Sequence, residues 1–354
     1  MSFDDDRLKA LEYDHPEFIP VSVGILPAAW MKYREELDRL VSAHPILFGP
    51  PRDREYDAVG GTYVSGKHVD VWGCVWENIH AGCEAIVIGH PVANREAVHS
   101  LREPEADAGF PHGFMYLRLQ DLRGFEELMV DFAEEPPELQ MLIDVVLRYN
   151  LRQAEKQLAG LQGTGQIVTF GDDLGMQNSL PMSPEKWRKY LKPCFAAIYR
   201  PYRQAEHYVY MHTDGHIVEI IPDLVECGVN VVNPQVRANG LEELARVCKE
   251  APQPPITGEH LAPLPPITGE QLAGPARKGE ENGKRVCVDL DLDRQMFPFC
   301  TPQEIDEHVR EAVEVLGSPE GGLWLKAEIG DDVPLANIEA IFCALERYRG
   351  YFRS

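Results

Sequence analysis

No uninterrupted apolar run in this chain of 354 residues reaches the roughly 18–20 residues that a membrane-spanning helix needs. Glycine-rich phosphate cradles are missing too. No GxGxxG follows the first apolar run, which counts against a Rossmann domain, and no GxxxxGKS/T occurs anywhere. Positive charge is scarce: 34 Lys and Arg stand against 57 Asp and Glu, a formal charge of −23. Nucleic-acid phosphates and anionic membrane surfaces would be repelled rather than neutralised, although solubility alone accounts for such a charge. Paired cysteines are absent as well. Cys74, Cys83, Cys194, Cys227, Cys248, Cys287, Cys300 and Cys343 include no CxxC, and most sit in apolar surroundings such as "RVCVDL" and "AIFCAL". That pattern excludes a disulfide framework and a cysteine-rich structural zinc site, and implies reduced, buried thiols. The opening "MSFDDDRLKALEYDHPEF" lacks the charged-then-apolar layout of a secretory signal. A cytoplasmic protein with neither membrane nor nucleic-acid partner is expected.

What is present is a sizeable core, with 44% hydrophobic residues. Apolar runs rich in branched residues read as buried parallel strands: "IPVSVGI" (19–25), "EAIVIG" (84–89), "QIVTF" (166–170), "YVYM" (208–211), "VNVVN" (229–233), "RVCVDLDL" (285–292) and "GLWLKAEI" (322–329). Amphipathic helices alternate with them. The stretch 136–161 opens on proline, 183–205 has Ser183 as N-cap before Pro184 and Glu185, and 301–317 repeats that recipe and closes on glycine. Alternation over the whole chain, at about eight βα units, predicts a single (β/α)₈ TIM barrel spanning 1–354. A Pro/Gly-rich stretch at 251–284 carries a near-duplicate, PPITGEHLA and PPITGEQLA, and reads as an exposed insert.

Catalytic groups of such barrels project from the C-terminal strand ends. Those ends carry Gly171, Asp172 and Asp173; then His212, Asp214 and His216; then Asn233 and Gln235; then Asp289, Asp291, Asp293 and Arg294; and finally Glu328. His212, Asp214 and Glu328 together would form a mixed nitrogen and oxygen site for zinc or a similar divalent ion, with one position open. The competing reading of the H-x-D pair is a simple hydrogen bond. His216 reads as the start of the following helix, a capping or surface residue. Asp172 and Asp173 read either as caps of the segment that follows them or as a general base and substrate anchor. Trp72 and Trp76 read either as core or as the wall of an aromatic pocket.

"HTDGHIVEIIPDLVECGVNVVNPQ" resembles the H-S/T-x-G, IPDLIE-x-G-V and NP-x-Q signature of the uroporphyrinogen decarboxylase superfamily. "GDDLGMQNSLPMSPEKWRKYLKPCF" and "GGLWLKAEIGDDVPLANIEAIFCALERYRGYF" resemble two further blocks of it, so the likeness runs from about residue 60 to the end. It implies one (β/α)₈ barrel. The arginine-bearing R-Q-A-G-R-Y motif of the true decarboxylases is replaced by "VSVGILPAAWMKYREELDRL", which leaves no arginine pair for a substrate of many carboxylates. The chain thus looks closer to the corrinoid-dependent methyltransferase branch. There, His212 matches the zinc-binding histidine, while Asp214 and Glu328 fall at or near the two cysteine positions. Replacing sulfur by oxygen favours polarising an ether oxygen over activating a thiol.

The expectation that follows is a metal-dependent methyltransferase of the O-demethylase type. It would move a methyl group from a small, methoxylated donor to a corrinoid (a cobalamin) on a separate protein. His212, Asp214 and Glu328 would hold the metal, with zinc the first choice. Asp173 and His212 would be catalytic, Asp173 orienting substrate or donating a proton if its pKa is raised. Asp172, Asn233, Gln235 and Trp72 would contact substrate. Two rivals remain: a cofactor-free decarboxylase or lyase using Asp173 and His212 as acid and base, and a non-catalytic barrel that carries a corrinoid or tetrapyrrole.

Overall fold

A computed structural model describes residues 3–250 and 286–353; the predicted insert at 251–284 lies outside the described residues. Nine strands form among them: β1 (Val21–Ile25), β2 (Gly66–Val69), β3 (Val75–Asn78), β4 (Ile86–Gly89), β5 (Ile167–Gly171), β6 (Tyr208–Thr213), β7 (Val229–Pro234), β8 (Cys287–Asp291) and β9 (Leu323–Ile329). Six make a curled parallel sheet in the order β1-β9-β8-β7-β6-β5. Their sequence runs were all read correctly as buried parallel strands.

The predicted eight-stranded barrel is not reached among the described residues, and the run at 84–89 is the reason. Instead of joining the parallel sheet it forms β4, antiparallel to β3, in a separate β2-β3-β4 sheet. A barrel strand must bury both faces, yet Ile86 and Ile88 are exposed. A second place for a strand, residues 110–116, runs beside the outer edge of β5 but makes one bond to it, Gly113 N–H to the Gly171 carbonyl at 2.8 Å. Pro111 has no N–H to give a ladder, and Gly113 sits at φ +75°, outside extended geometry.

Helices cover the outer face. Pro137–Gly160 and Pro302–Leu316 appear as predicted, the second with a full capping box between Thr301 and Glu304. The stretch at 183–205 splits at Leu191 into Pro184–Tyr190 and Lys192–Gln204, because Pro193 cannot donate to the carbonyl of Lys189. Ser183 does cap the first piece, accepting the Lys186 N–H at 3.3 Å. None of the helices described is long and apolar enough to cross a membrane. All eight cysteines are free thiols. Five are buried, while Cys83 and Cys343 are exposed and Cys300 is partly so; "AIFCAL" looked apolar, but Cys343 lies on the outward side of its helix.

Strand side chains alternate between two faces, and the two apolar clusters show which is which. Val288, Leu290, Leu325, Ala327, Val209 and Met211 join the large cluster beneath the helices. Cys287, Trp324, Val231, Tyr208 and Tyr210 pack on the other face, against Ala10 and Leu11 of the helix Phe3–Glu12. That helix closes the inner face near the N-terminal ends of the strands. Continuing the period of two along each strand leaves His212, Asn233, Asp289, Asp291, Lys326 and Glu328 facing inward at the C-terminal ends.

Candidate active site at the strand ends

Two loops that leave β5 and β6 lie backbone against backbone. Gly175 N–H donates to the Asp214 carbonyl at 3.2 Å, and His216 N–H to the Met176 carbonyl at 2.7 Å. A Cβ on either Gly175 or Gly215 would fall inside the other loop's main chain, and Gly215 also stands at φ +84°. The clamp fixes the backbone of Asp214, which donates its N–H to Asp173 Oδ1 at 3.1 Å. His216 is not a surface cap; its Nδ1 lies 2.8 Å from the Ala238 carbonyl.

His212 is held by Asn233. The Asn233 amide donates to the Asp289 carbonyl at 2.6 Å, so its Oδ1 faces His212 Nδ1 at 2.6 Å and must accept from it. That assigns the proton to Nδ1 and leaves a lone pair on Nε2. Burial first, then the nearby Lys326 charge, lower the pKa of His212 and keep it neutral. Nε2 looks towards Asp214 Oδ1, 3.5 Å away. One ligand atom each of His212, Asp214 and Asp291 lies within 4.8 Å of the other two. Asp291 is buried, its Oδ1 has no hydrogen-bond partner, and burial lifts its carboxyl to about 7. Burial and then Asp173 raise Asp214 as well.

Glu328, the third ligand expected from sequence, is instead ion-paired with Arg294, whose other arm is 3.9 Å from Asp214. It belongs to neither of the groups of ligating atoms that the described residues bring together. The second such group is His112, Asp173 and His212. His112 Nε2 is 3.1 Å from Asp173 Oδ2, and its ring lies 5.5 Å from that of His212. Burial works against charge on His112, but the hydrogen bond and charge of Asp173 prevail and raise it to about 9. Burial likewise opposes charge on Asp173, yet His112 holds its carboxyl below the usual range. Asp173 is thus a fixed carboxylate. The expectation of a proton donor required a raised pKa, and the structure gives the opposite direction.

Because the folded value of His112 exceeds its ordinary 6.5, the pair's stabilisation is complete below about 6.5 and fades as pH rises towards about 9. The ring is half exposed, so the effect is small. After dialysis against a chelator, the melting temperature of wild type is expected to fall between these pH values more than that of His112→Ala. Parallel curves would refute the pairing.

Asp172 turns away from this cluster. Wholly buried, it accepts N–H groups from Met115 (3.1 Å), Tyr116 (2.5 Å) and Leu117 (2.9 Å). It therefore caps the helix Tyr116–Arg123, which precedes it in sequence rather than follows it. Burial pushes its carboxyl up to about 7, against the pull of those donors. Asn233 is buried too and serves His212 rather than the open cavity.

Gln235 lines a cavity of about 750 Å³ at the strand ends, with Asp214, Asp291, Arg237 and Arg294, and accepts the Gly215 N–H at 3.1 Å. Trp72 does not line it. Trp72 packs edge-on to Tyr149 at 4.9 Å and lines a different cleft of about 490 Å³ with Phe110, Phe114 and Arg118. Trp76 stands on β3, so the spacing of four that paired it with Trp72 reflects a turn and strand, not a helix. His112 was missed from sequence because no strand pattern surrounds "FPHGF". Asp291 and Lys326 did have a signal, the inward period of two shared with Asp289 and Glu328.

The fold has counterparts among known proteins. A solved methyltransferase from Methanosarcina mazei superposes on this chain with a TM-score of 0.58 at 16% identity, over 98% of this chain and 99% of that one. At that identity the likeness is one of fold. No curated protein sequence matches. The uroporphyrinogen decarboxylase (URO-D) family model matches residues 115–348, the stretch that holds His212, Asp214, Asp291 and their supports, and the chain belongs to that family.

Proposed function

We propose that the chain is a metal-dependent methyltransferase that takes a methyl group from a small methoxylated donor and passes it to a corrinoid on a separate protein. The observation that carries this reading is the grouping of one ligand atom each from His212, Asp214 and Asp291, with the His212 Nε2 lone pair set by Asn233 and Asp291 Oδ1 left without a partner. An imidazole whose other nitrogen is tied down is the usual form of a metal ligand. Two carboxylates beside it make a site with a hard, oxygen-rich donor set. The likeness to a methyltransferase in fold adds support. We assign the third ligand to Asp291 in preference to Glu328, which Arg294 occupies.

A divalent ion bound there, zinc being suited to one nitrogen and two oxygens, would supply Lewis acidity towards the donor's ether oxygen. The chain's own groups do the rest. Neutral His212 keeps its lone pair available across physiological pH, and Asn233 prevents its ring from turning. Asp173 steadies Asp214 through the backbone and holds His112 at the rim. Gln235 and Arg294 border the space in which a small donor fits.

Metal content measured together on wild type, His212→Ala, Asp291→Asn and Glu328→Gln tests the proposal. About one equivalent in wild type is expected, lost in the first two variants and kept in the third. Retention in Asp291→Asn with loss in Glu328→Gln would restore the ligand set read from sequence. No metal in reconstituted wild type would overturn the reading, and an acid–base decarboxylase built on His112 and Asp173 would replace it.

A further inference from the structure

Lys326 faces the same inner surface from β9, directly across the ladder from Asp291. Its ammonium is set back from the cavity, with a side chain 23% exposed. Two acceptors are nearest: Asp291 Oδ2 at 3.6 Å and Asn233 Oδ1 at 3.5 Å. Both lie at or beyond the outer limit for a hydrogen bond, and Asn233 Oδ1 already accepts from His212 at 2.6 Å.

If Lys326 served only to neutralise Asp291, the two would close, as other pairs in this protein do. Lys192 approaches Asp223 to 2.7 Å, and Arg118 approaches Asp70 to 2.8 Å. Lys326 instead holds three donors short of full contact with Asp291 Oδ2, while Oδ1, the other oxygen of that carboxylate, is the unpartnered one. Asp291 lines the cavity, so the ammonium stands directly behind a residue of its wall. A ligand oxygen beside Asp291 would accept a hydrogen bond from the ammonium, whose donors the protein leaves underused.

We infer that Lys326 is a catalytic residue that donates a hydrogen bond to the oxygen from which the methyl group departs. The inference rests on the methyltransferase reading above. The bond between the methyl carbon and oxygen breaks with its electron pair left on oxygen, while a reduced corrinoid supplies the pair that forms the new bond to carbon. Lys326 then sits against the developing oxyanion, which later takes a proton from water. A donor prepositioned for charge that appears only in the transition state lowers the barrier.

Two measurements test it, on wild type, Lys326→Met and Lys326→Arg. The first compares methyl transfer to reduced cobalamin from 4-methylanisole and 4-nitroanisole. The nitro group already stabilises the departing oxyanion, so Lys326→Met is expected to lose about 10²-fold with the methyl compound and about tenfold or less with the nitro compound. Lys326→Arg should recover part of the loss. The second follows bound 4-nitrophenol by its visible absorbance across pH. Wild type should favour the phenolate, titrating it at lower pH than Lys326→Met does, whatever the reaction. An equal loss with both ethers, or an unchanged phenol titration, would overturn the assignment. Wild type that moves no methyl group from either ether, yet still favours bound phenolate, would sink the methyltransferase reading while leaving Lys326 as an oxyanion donor.

Discussion

Asp172→Ala is expected to destabilise the protein by about 4 kcal/mol or more, since each buried N–H left without a partner costs about 1–3 kcal/mol. Three such groups, of Met115, Tyr116 and Leu117, converge on this one carboxylate. The helix they begin has no side-chain cap of its own at Met115, so Asp172 supplies both the acceptors and the negative charge that a helix N-terminus favours. Loss on this scale is a large share of the roughly 5–15 kcal/mol by which domains are stable. Asp172→Asn should fall between, because a carboxamide offers one oxygen and turns its NH₂ towards donors. Denaturant unfolding at pH 8, where the wild-type carboxyl is ionised, measures the difference. Were Asp172 a substrate anchor, Asp172→Asn would unfold like wild type and lose only binding. The damage should also reach the site, because the same segment carries His112 to Asp173 and His212.

Gly215→Ala carries the second large effect. A side chain at φ +84° is strained by about 1–2 kcal/mol on its own, and here the new Cβ would also meet the Gly175 main chain, which no side-chain rotation relieves. The loops must part, breaking the Gly175–Asp214 and His216–Met176 bonds and releasing the Asp214 backbone. We expect a loss of at least about 3 kcal/mol, adding strain to the two broken hydrogen bonds, together with loss of bound metal. Gly240→Ala is the control: Gly240 stands at φ +74° with nothing within 4 Å of a new Cβ. It should cost only the backbone strain and retain metal. Equal effects at both positions would show that conformation, not the contact between the loops, is what matters.

The architecture was largely legible. Branched apolar runs between capped helices specified six parallel strands, since a strand covered on both faces must be apolar nearly throughout. The same rule misled at 84–89, where "EAIVIG" has the composition of a buried strand. Composition does not say which partner a strand finds. β3 lies only a few residues upstream, and a local antiparallel pairing closes a much shorter loop than a parallel one. Residues 183–205 were likewise read as one helix, and the break at Leu191 went unread although Pro193 carries its signal.

At the site, chemistry was legible and partnership was not. "HTDG" placed His212 and Asp214 at a strand end, because period-two alternation carries both to the inner face. The alternation in "CVDLDLD" and "LWLKAEI" carried the same message for Asp291 and Lys326, but several inward acids on neighbouring strands offered interchangeable third ligands. Choosing among them required Arg294, which leaves the end of β8 and pairs with Glu328, and the burial that leaves Asp291 Oδ1 without a partner. Likewise, "GDDLG" could not tell Asp172 from Asp173. Adjacent residues point to opposite sides of the chain, one into the N–H groups of residues 115–117 and the other towards His112. By itself the sequence determined which segments become strands and helices and which strand ends are polar, because those follow from local periodicity. Only the tertiary structure decided which carboxylate meets which cation, because ion pairs join residues far apart in the chain, 61 positions in the case of His112 and Asp173, and no local pattern encodes that distance.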